Sequence, residues 1–351
     1  MTAPRPPRPP HAPHPLVAGA RRLADEVLLP HAEEVDRTEV PVGHLARIRS
    51  SGLPGLNAPR AYGGAAAPAA VARETAEILA GACCSTWFVQ AQHHTPVLTL
   101  AACEGPARER LLGRLASGEL LSGVAYAHLR AFPRVPVRAT REGTGWRFDG
   151  TVPWYTGWGL NDVLLLAGTT ETDEALFAFA EAREQPGLRA SAPLRLAALT
   201  AARTVSLELD GLWLPDESVA LRTPYEHWAA ADRLRTANAN PAVFGVTEAA
   251  LALLDEDTAA PLRARLAETR ARAYALADDA EPRERAAERL ALRTRAYQVL
   301  QAATTAAVVN GGGRSMLLTN RAQRLAREAL FLMVQAQTRQ SRAAHLDALR
   351  G

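Results

Sequence analysis

Apolar residues in this chain recur at helical spacing over the first third, at strand spacing through the middle, and at helical spacing again towards the end. That order constrains the fold strongly. A segment patterned for one period cannot bury its apolar residues in an element of the other. Residues 16 to about 117 read as helical. Residues 17–35 carry apolar side chains at helical steps, Pro41 and Gly52 punctuate the next stretch, and Ala58-Pro59-Arg60-Ala61-Tyr62-Gly63-Gly64 is a turn-rich break. The spacing predicts further helices over 71–82, 86–103 and 106–116, the last opening on Pro106, where a missing N–H costs nothing.

Around Leu120 the period shortens. Val135 and Val137 alternate with arginines, Glu142-Gly143-Thr144-Gly145 supplies a turn, and Trp146 and Phe148 alternate with Arg147 and Asp149, which is a β-hairpin in sequence form. The runs 163–166 and 176–179 read as buried strands, and Val205, Leu207 and Leu209 as a half-buried one. Beyond Tyr225 helical stripes return, first through Val243, Val246, Ala250 and Leu253, then through Leu290, Tyr297, Leu300, Thr304 and Val308. Gly311-Gly312-Gly313 ends that second helix, and a last helix is predicted from Asn320 to the C-terminus. The expectation is an α+β, mostly α chain in three parts: an N-terminal helical domain (16–119), a central β-barrel or sandwich domain (120–222) and a C-terminal four-helix bundle (223–351). Residues 1–15, rich in proline and arginine, are expected to be a disordered tail.

Composition excludes several classes. The chain is 48% hydrophobic and 22% charged, with a formal net charge of +3 and no lysine, so every fixed side-chain cation is arginine. Acidic and basic residues are interleaved rather than clustered, which argues against a nucleic-acid partner. The tail lacks the apolar core of a secretory signal, and no run reaches membrane-spanning length, so a cytoplasmic protein is expected. Cys83, Cys84 and Cys103 fit neither a disulfide framework nor metal-ligand spacing and read as thiols in a reducing compartment. His11 and His14 on the tail make at best a weak metal site, and no metal is expected.

Several segments resemble the acyl-CoA dehydrogenase family, and the resemblance covers essentially everything after the tail. Leu29-Pro30-His31-Ala32, and Ser51-Gly52-Leu53 through Tyr62-Gly63-Gly64, look like the family's P-x-A and G-L…P-x-x-Y-G-G segments. Gly150-Thr151-Val152-Pro153-Trp154-Tyr155-Thr156 looks like its G-x-K-x-W-I-[ST]; residues 207–219, with Asp210 and Pro215, resemble its strand and turn before the last helices. Asn310-Gly311-Gly312-Gly313 followed by Arg327-Glu328-Ala329 looks like its glycine loop and R-D-A motif. The resemblance implies FAD lying between the β domain and the C-terminal bundle. Trp154 and Tyr155 would form an aromatic wall and Thr156 would approach flavin N5. Tyr126 and Ala127 would lie at the ring, with Tyr126 or His128 taking over a polar contact, Gly311, Gly312 and Gly313 would admit the pyrophosphate, and Thr338 and Gln340 would touch the dinucleotide. It further implies a homodimer or homotetramer and an acyl-thioester or other small-molecule substrate.

The family's catalytic pattern is incomplete in this chain. The glutamate that removes the α-proton falls at Ala336, which cannot accept a proton. Some members carry the base on the first bundle helix, where Asp232 is the nearest carboxylate; beside Arg233 and Arg235 it reads as a helix-surface ion pair. The T-E-P-x-x-G-S-D flavin loop is replaced around Ala125-Tyr126-Ala127-His128-Leu129-Arg130, and the arginine-phenylalanine-glycine segment is not recognisable between 270 and 285. The stretch 87–95, with His93 and His94, is similar instead to a histidine-bearing helix of flavin monooxygenases of the same fold, which use O2 and reduced FMN or FAD from a reductase. Three functions are therefore weighed: an acyl-CoA dehydrogenase-like oxidoreductase with a displaced base, a flavin monooxygenase, and a catalytically silent partner subunit.

Overall fold

The computed structural model describes residues 14–279 and 285–350, so His11, the rest of the tail to residue 13, and part of the 270–285 stretch lie outside the described residues. The first described helix opens at Pro15. His14 caps α1 (Pro15–Leu23), its Nδ1 accepting the Leu16 amide at 3.2 Å. A π-helical turn and a 3-10 turn come next, the latter containing Pro30, and the chain re-forms as α2 (Ala32–Arg37) and α3 (Val42–Arg49). Then come α4 (Ala69–Ala82), α5 (Cys84–Ala102) and α6 (Pro106–Ala116). The expected helices are thus present. Extended backbone at Cys83 separates α4 from α5, which lets one continuous apolar stretch turn a corner.

The strands are β1 (Ser122–Ala125), β2 (Val137–Glu142), β3 (Gly145–Tyr155), β4 (Val163–Thr169), β5 (Glu174–Glu181), β6 (Leu188–Ala190), β7 (Val205–Pro215) and β8 (Val219–Pro224). They form one mixed sheet in the order β6-β7-β3-β2-β4-β5-β8, with β1 parallel to β4. The predicted hairpin is β2–β3, in register from Val137↔Gly150 to Glu142↔Gly145. Its half of the sheet meets the other only at Arg138↔Thr169. The two halves enclose a core of Phe148, Val152, Tyr155, Leu164, Leu166, Leu176, Leu207 and Leu209. The outer face of β4 and β5 packs through Leu165, Phe177 and Phe179 on Val97, Leu100 and Leu112 of α5 and α6. Burial on both faces is why these two strands read as unbroken apolar runs.

The C-terminal segment departs from the four predicted helices. It contains α7 (Tyr225–Ala237), α8 (Pro241–Leu251), α9 (Glu256–Ala277), α10 (Ala286–Gly311), α11 (Arg321–Val334) and α12 (Arg339–Ala348). Short side chains that compete for backbone N–H groups mark the new starts: Asn240, Asp255, Asn320 and Thr338 each accept an amide of the following first turn. The last predicted helix is broken at 335–338, where Ala336 takes a left-handed conformation at φ +52°. The core joins these helices to α1–α5 through Leu28, Ile48, Leu79, Trp87, Phe244, Leu300 and Leu325.

Candidate flavin cleft

The end of β3 carries the most informative residues. Strand alternation sends Tyr155 into the sheet core, where it is fully buried with its hydroxyl 3.4 Å from the Asn161 amide. The expected pairing of Trp154 and Tyr155 as one wall is corrected accordingly: adjacent strand residues face opposite ways, and only Trp154, 54% exposed, offers an aromatic surface. Thr156 is buried, its Oγ1 3.0 Å from Thr204 Oγ1. Whichever hydroxyl donates in that pair, the other O–H has no acceptor among the described residues.

The loop after β1 carries Tyr126, Ala127 and His128. Residues 127–131 form a 3-10 turn. His128 is buried there, its Nε2–H donating to the Ala167 carbonyl at 2.9 Å, and burial lowers its pKa to about 4. Tyr126 is buried edge-on against Phe177 and Trp228, so its ring is core rather than an open contact surface. The next arginine reaches across to the first C-terminal helix. Arg130 donates from Nε and Nη2 to the two Asp232 oxygens at 2.7 and 2.9 Å, and Arg235 adds a third bond at 2.6 Å. Asp232 is 3% exposed, so the expected helix-surface ion pair is instead a buried clamp between loop and helix. Burial alone would raise its carboxyl; the two guanidiniums outweigh that and hold it below the ordinary carboxylate range.

The two histidines of α5 differ. His93 is buried and takes the Ser122 amide on Nδ1 at 3.1 Å, tying α5 to the start of β1; burial, with His94 beside it, lowers its pKa to about 3. His94 is half-buried, with Gln90 Nε2 donating to its Nε2 at 2.6 Å. That bond places the ring proton on Nδ1, which has no partner, and burial lowers this pKa to about 4.

The C-terminal positions have structural work of their own. Gly312 caps α10 at φ +56°, a conformation that glycine alone adopts without strain, and the space beyond it is open. A side chain at Gly311 would meet Ser315 Oγ, whereas Gly313 has open space around it. Thr338 caps α12 in a capping box with Ser341, and Gln340 is exposed. The turn carrying Ala336 is held from outside: Asn240 Nδ2 donates to Gln335 Oε1 at 3.0 Å, and Arg293 Nη2 to the Gln335 carbonyl at 3.3 Å. Arg327 of the R-D-A-like motif pairs with Asp36 of α2, and Glu328 with the buried Arg324.

A groove of about 650 Å³ lies elsewhere, among residues of α1, α4, α8, α9 and α11, including Arg73, Glu77, Arg270 and Tyr274. No strand residue lines it. No group of three metal-ligating side chains and no helix long and apolar enough to cross a membrane occurs among the described residues.

Residues 14–119 match the family model described as acyl-CoA dehydrogenase, N-terminal domain. The chain as a whole has the acyl-CoA dehydrogenase fold. Butyryl-CoA dehydrogenase from Megasphaera elsdenii superposes with a TM-score of 0.81 at 17% identity, over 96% of this chain and 97% of that one. Glutaryl-CoA dehydrogenase from Mycobacterium smegmatis, solved with FADH2, gives 0.78 at 18% identity over 95% and 93%. Dibenzothiophene monooxygenase from Paenibacillus sp. A11-2 gives 0.79 at 15% identity over 95% and 96%. No curated protein matches in sequence. The fold is therefore shared with both dehydrogenases and a monooxygenase.

Proposed function

We propose that this protein is a flavin-dependent oxidoreductase working without a carboxylate base, as a monooxygenase of this fold rather than as a dehydrogenase of acyl thioesters. One observation carries the choice: Asp232, the carboxylate that the sequence offered as a displaced base, is locked by Arg130 and Arg235, and the resemblance puts Ala336 where the family has its glutamate. A carboxylate accepting three charge-assisted bonds has its basicity suppressed and its lone pairs directed away from a substrate.

Trp154 would supply the surface for a flavin ring, and the Thr156–Thr204 pair the hydroxyl at its edge. A reduced flavin held there would supply two electrons to O2, so that one oxygen atom could enter the substrate and the other leave as water. The neutral imidazole of His94, with its free Nδ1–H, is the residue suited to donate a hydrogen bond and relay a proton there. Gly312, Thr338 and Gln340 remain candidates for the dinucleotide end. Exposed Val309, Met316, Leu317, Leu318 and Leu330 support assembly of at least a dimer through the C-terminal helices. The unpaired, buried Cys83 and Cys84 accord with a reducing compartment.

The test is an anaerobic titration of the flavin-reconstituted protein with butyryl-CoA, paired with O2 uptake when a reductase supplies reduced FMN or FAD. Retained visible absorbance with protein-dependent O2 consumption is expected. Bleaching of the flavin by the thioester would overturn the choice. Failure to bind flavin in either redox state would point to the silent partner subunit.

A further inference from the structure

Six fixed charges are buried among the described residues: Asp36, Asp232, Arg289, Arg293, Arg324 and Glu328. Four are matched by opposite charge. Arg327 holds Asp36, Arg130 and Arg235 hold Asp232, and Arg324 and Glu328 hold each other, with Glu33 also on Arg324. Arg289 and Arg293 break this pattern. Each is 3% exposed, and neither forms an ion pair among the described residues.

Their contacts are neutral. Arg289 Nη1 donates to Asn238 Oδ1 at 2.7 Å; its Nε and Nη2 have no acceptor. Arg293 Nη1 donates to the Thr236 carbonyl at 2.6 Å and Nη2 to the Gln335 carbonyl at 3.3 Å, while its Nε has no acceptor. The two stand one turn apart on α10 and reach the same junction between α7 and α8. One turn further along, Tyr297 lies with its ring 5.4 Å from the Arg293 guanidinium and its buried hydroxyl unpartnered. His345 of α12 stacks edge-on to Tyr297; burial and Arg293 lower its pKa, so it adds no third charge at neutral pH.

Two buried like charges with unspent donors are costly unless an anion joins them. The Nε/Nη2 edge is the one with which Arg130 clamps the Asp232 carboxylate in this same protein, and on Arg289 that edge is empty. We propose that Arg289, Arg293 and Tyr297 form a buried oxoanion site for a phosphate-type dianion, free or carried as the phosphoryl group of a nucleotide. The charge decides the class: two guanidiniums match a dianion, whereas a carboxylate brings one negative charge and two oxygens to four free donors. The site does not depend on the flavin reading.

The test is thermal unfolding and titration calorimetry of the full chain with inorganic phosphate, ADP and acetate, each at ionic strength matched with chloride. Wild type is expected to show a saturable rise in melting temperature with phosphate or ADP, weakened at least tenfold in affinity by Arg289→Met and by Arg293→Met. Saturation by phosphate identifies a free ion as sufficient; saturation by ADP alone identifies a nucleotide-borne group. If the Met variants do not fold, Tyr297→Phe keeps both charges and is expected to weaken binding several-fold. An unsaturable response in wild type, unchanged affinity in the folded variants, or acetate binding as tightly as phosphate would overturn the site.

Discussion

Replacing Asp232 tests whether this carboxylate is a structural clamp or a chemical base. Three charge-assisted hydrogen bonds of 2.6–2.9 Å converge on it. Such bonds contribute about 1.5–3 kcal/mol each in net terms. Breaking a buried pair by removing one partner typically costs about 3–5 kcal/mol. The two arginines should not share that loss equally. Arg130, whose side chain is 19% exposed, is left with little water to replace the carboxylate, whereas Arg235 is 52% exposed and rehydrates. Asp232→Leu is therefore expected to lose about 3 kcal/mol, at the lower end of that range. A double-mutant cycle should couple Arg130 to Asp232 by about 2–3 kcal/mol and Arg235 to Asp232 by under about 1 kcal/mol.

The assay is urea unfolding followed by tryptophan fluorescence, run on Arg130→Met, Asp232→Leu and the pair, with the same transition compared throughout. Burial raises the Asp232 carboxyl and the arginines lower it further, so its folded pKa lies below the unfolded value of about 3.9. The clamp's contribution is thus fully present above about pH 4 and is lost as pH falls through the folded pKa. Coupling between Arg130 and Asp232 below about 0.5 kcal/mol would refute the clamp. So would an Asp232→Asn variant that keeps its stability but loses a limb of the pH–rate profile, since that is the signature of a base.

Other changes probe the remaining candidate residues. His93 and His128 are held neutral by burial, with pKa values of about 3 and 4. The unfolded chain binds these protons first, so stability should fall as pH drops from about 6.5 towards 4. Proton uptake on unfolding at pH 5, measured by calorimetry in two buffers, should decrease by about one proton in His128→Phe. Ala336→Gly relieves the left-handed backbone at φ +52° and should stabilise the protein by about 0.5–1 kcal/mol, read as a shifted urea midpoint; Ala336→Glu should still yield soluble, folded protein. Thr156→Val removes one hydroxyl of the Thr156–Thr204 pair at nearly constant volume and should weaken flavin binding about tenfold, as one hydrogen bond of about 1.4 kcal/mol does. Unchanged flavin affinity in Thr156→Val and Trp154→Ala together would remove the cleft at β3 from consideration.

The elements that were legible in the sequence are those whose pattern is local. The hairpin from Val137 to Gly150 could be read because alternation and a Gly-containing turn suffice to specify it. The split of α11 from α12 could not, because Ala336 bears none of the glycine or proline chemistry that announces a left-handed break. Asp232 departs from its sequence reading for a related reason. Its neighbours in sequence, Arg233 and Arg235, advertise a helix-surface pair, while the partner that buries it, Arg130, is 102 residues away. Tyr155 is different, since strand alternation alone could have separated it from Trp154. Arg289 and Arg293 were invisible for want of a carboxylate at i±4; an arginine facing inward looks in sequence like any other arginine.

The surroundings of Ala336 bear on the same choice. In a site that needs a base there, a nearby buried guanidinium would hold the base's proton off and blunt it. Here Arg293 bonds directly to the carbonyl of Gln335, one residue from Ala336, and Asn240 fixes the Gln335 side chain. The turn is thus anchored by groups that would oppose the function of a glutamate placed in it. An Ala336→Glu variant should accordingly pair with Arg293 and carry a depressed carboxyl pKa, and it should gain no dehydrogenation of acyl-CoA. Combining it with Arg293→Met removes that opposition. Flavin bleaching by butyryl-CoA that appears in Ala336→Glu alone would show the site to be a dehydrogenase centre missing only its base; bleaching that needs both changes would show that Arg293 and Ala336 depart from the dehydrogenase pattern together.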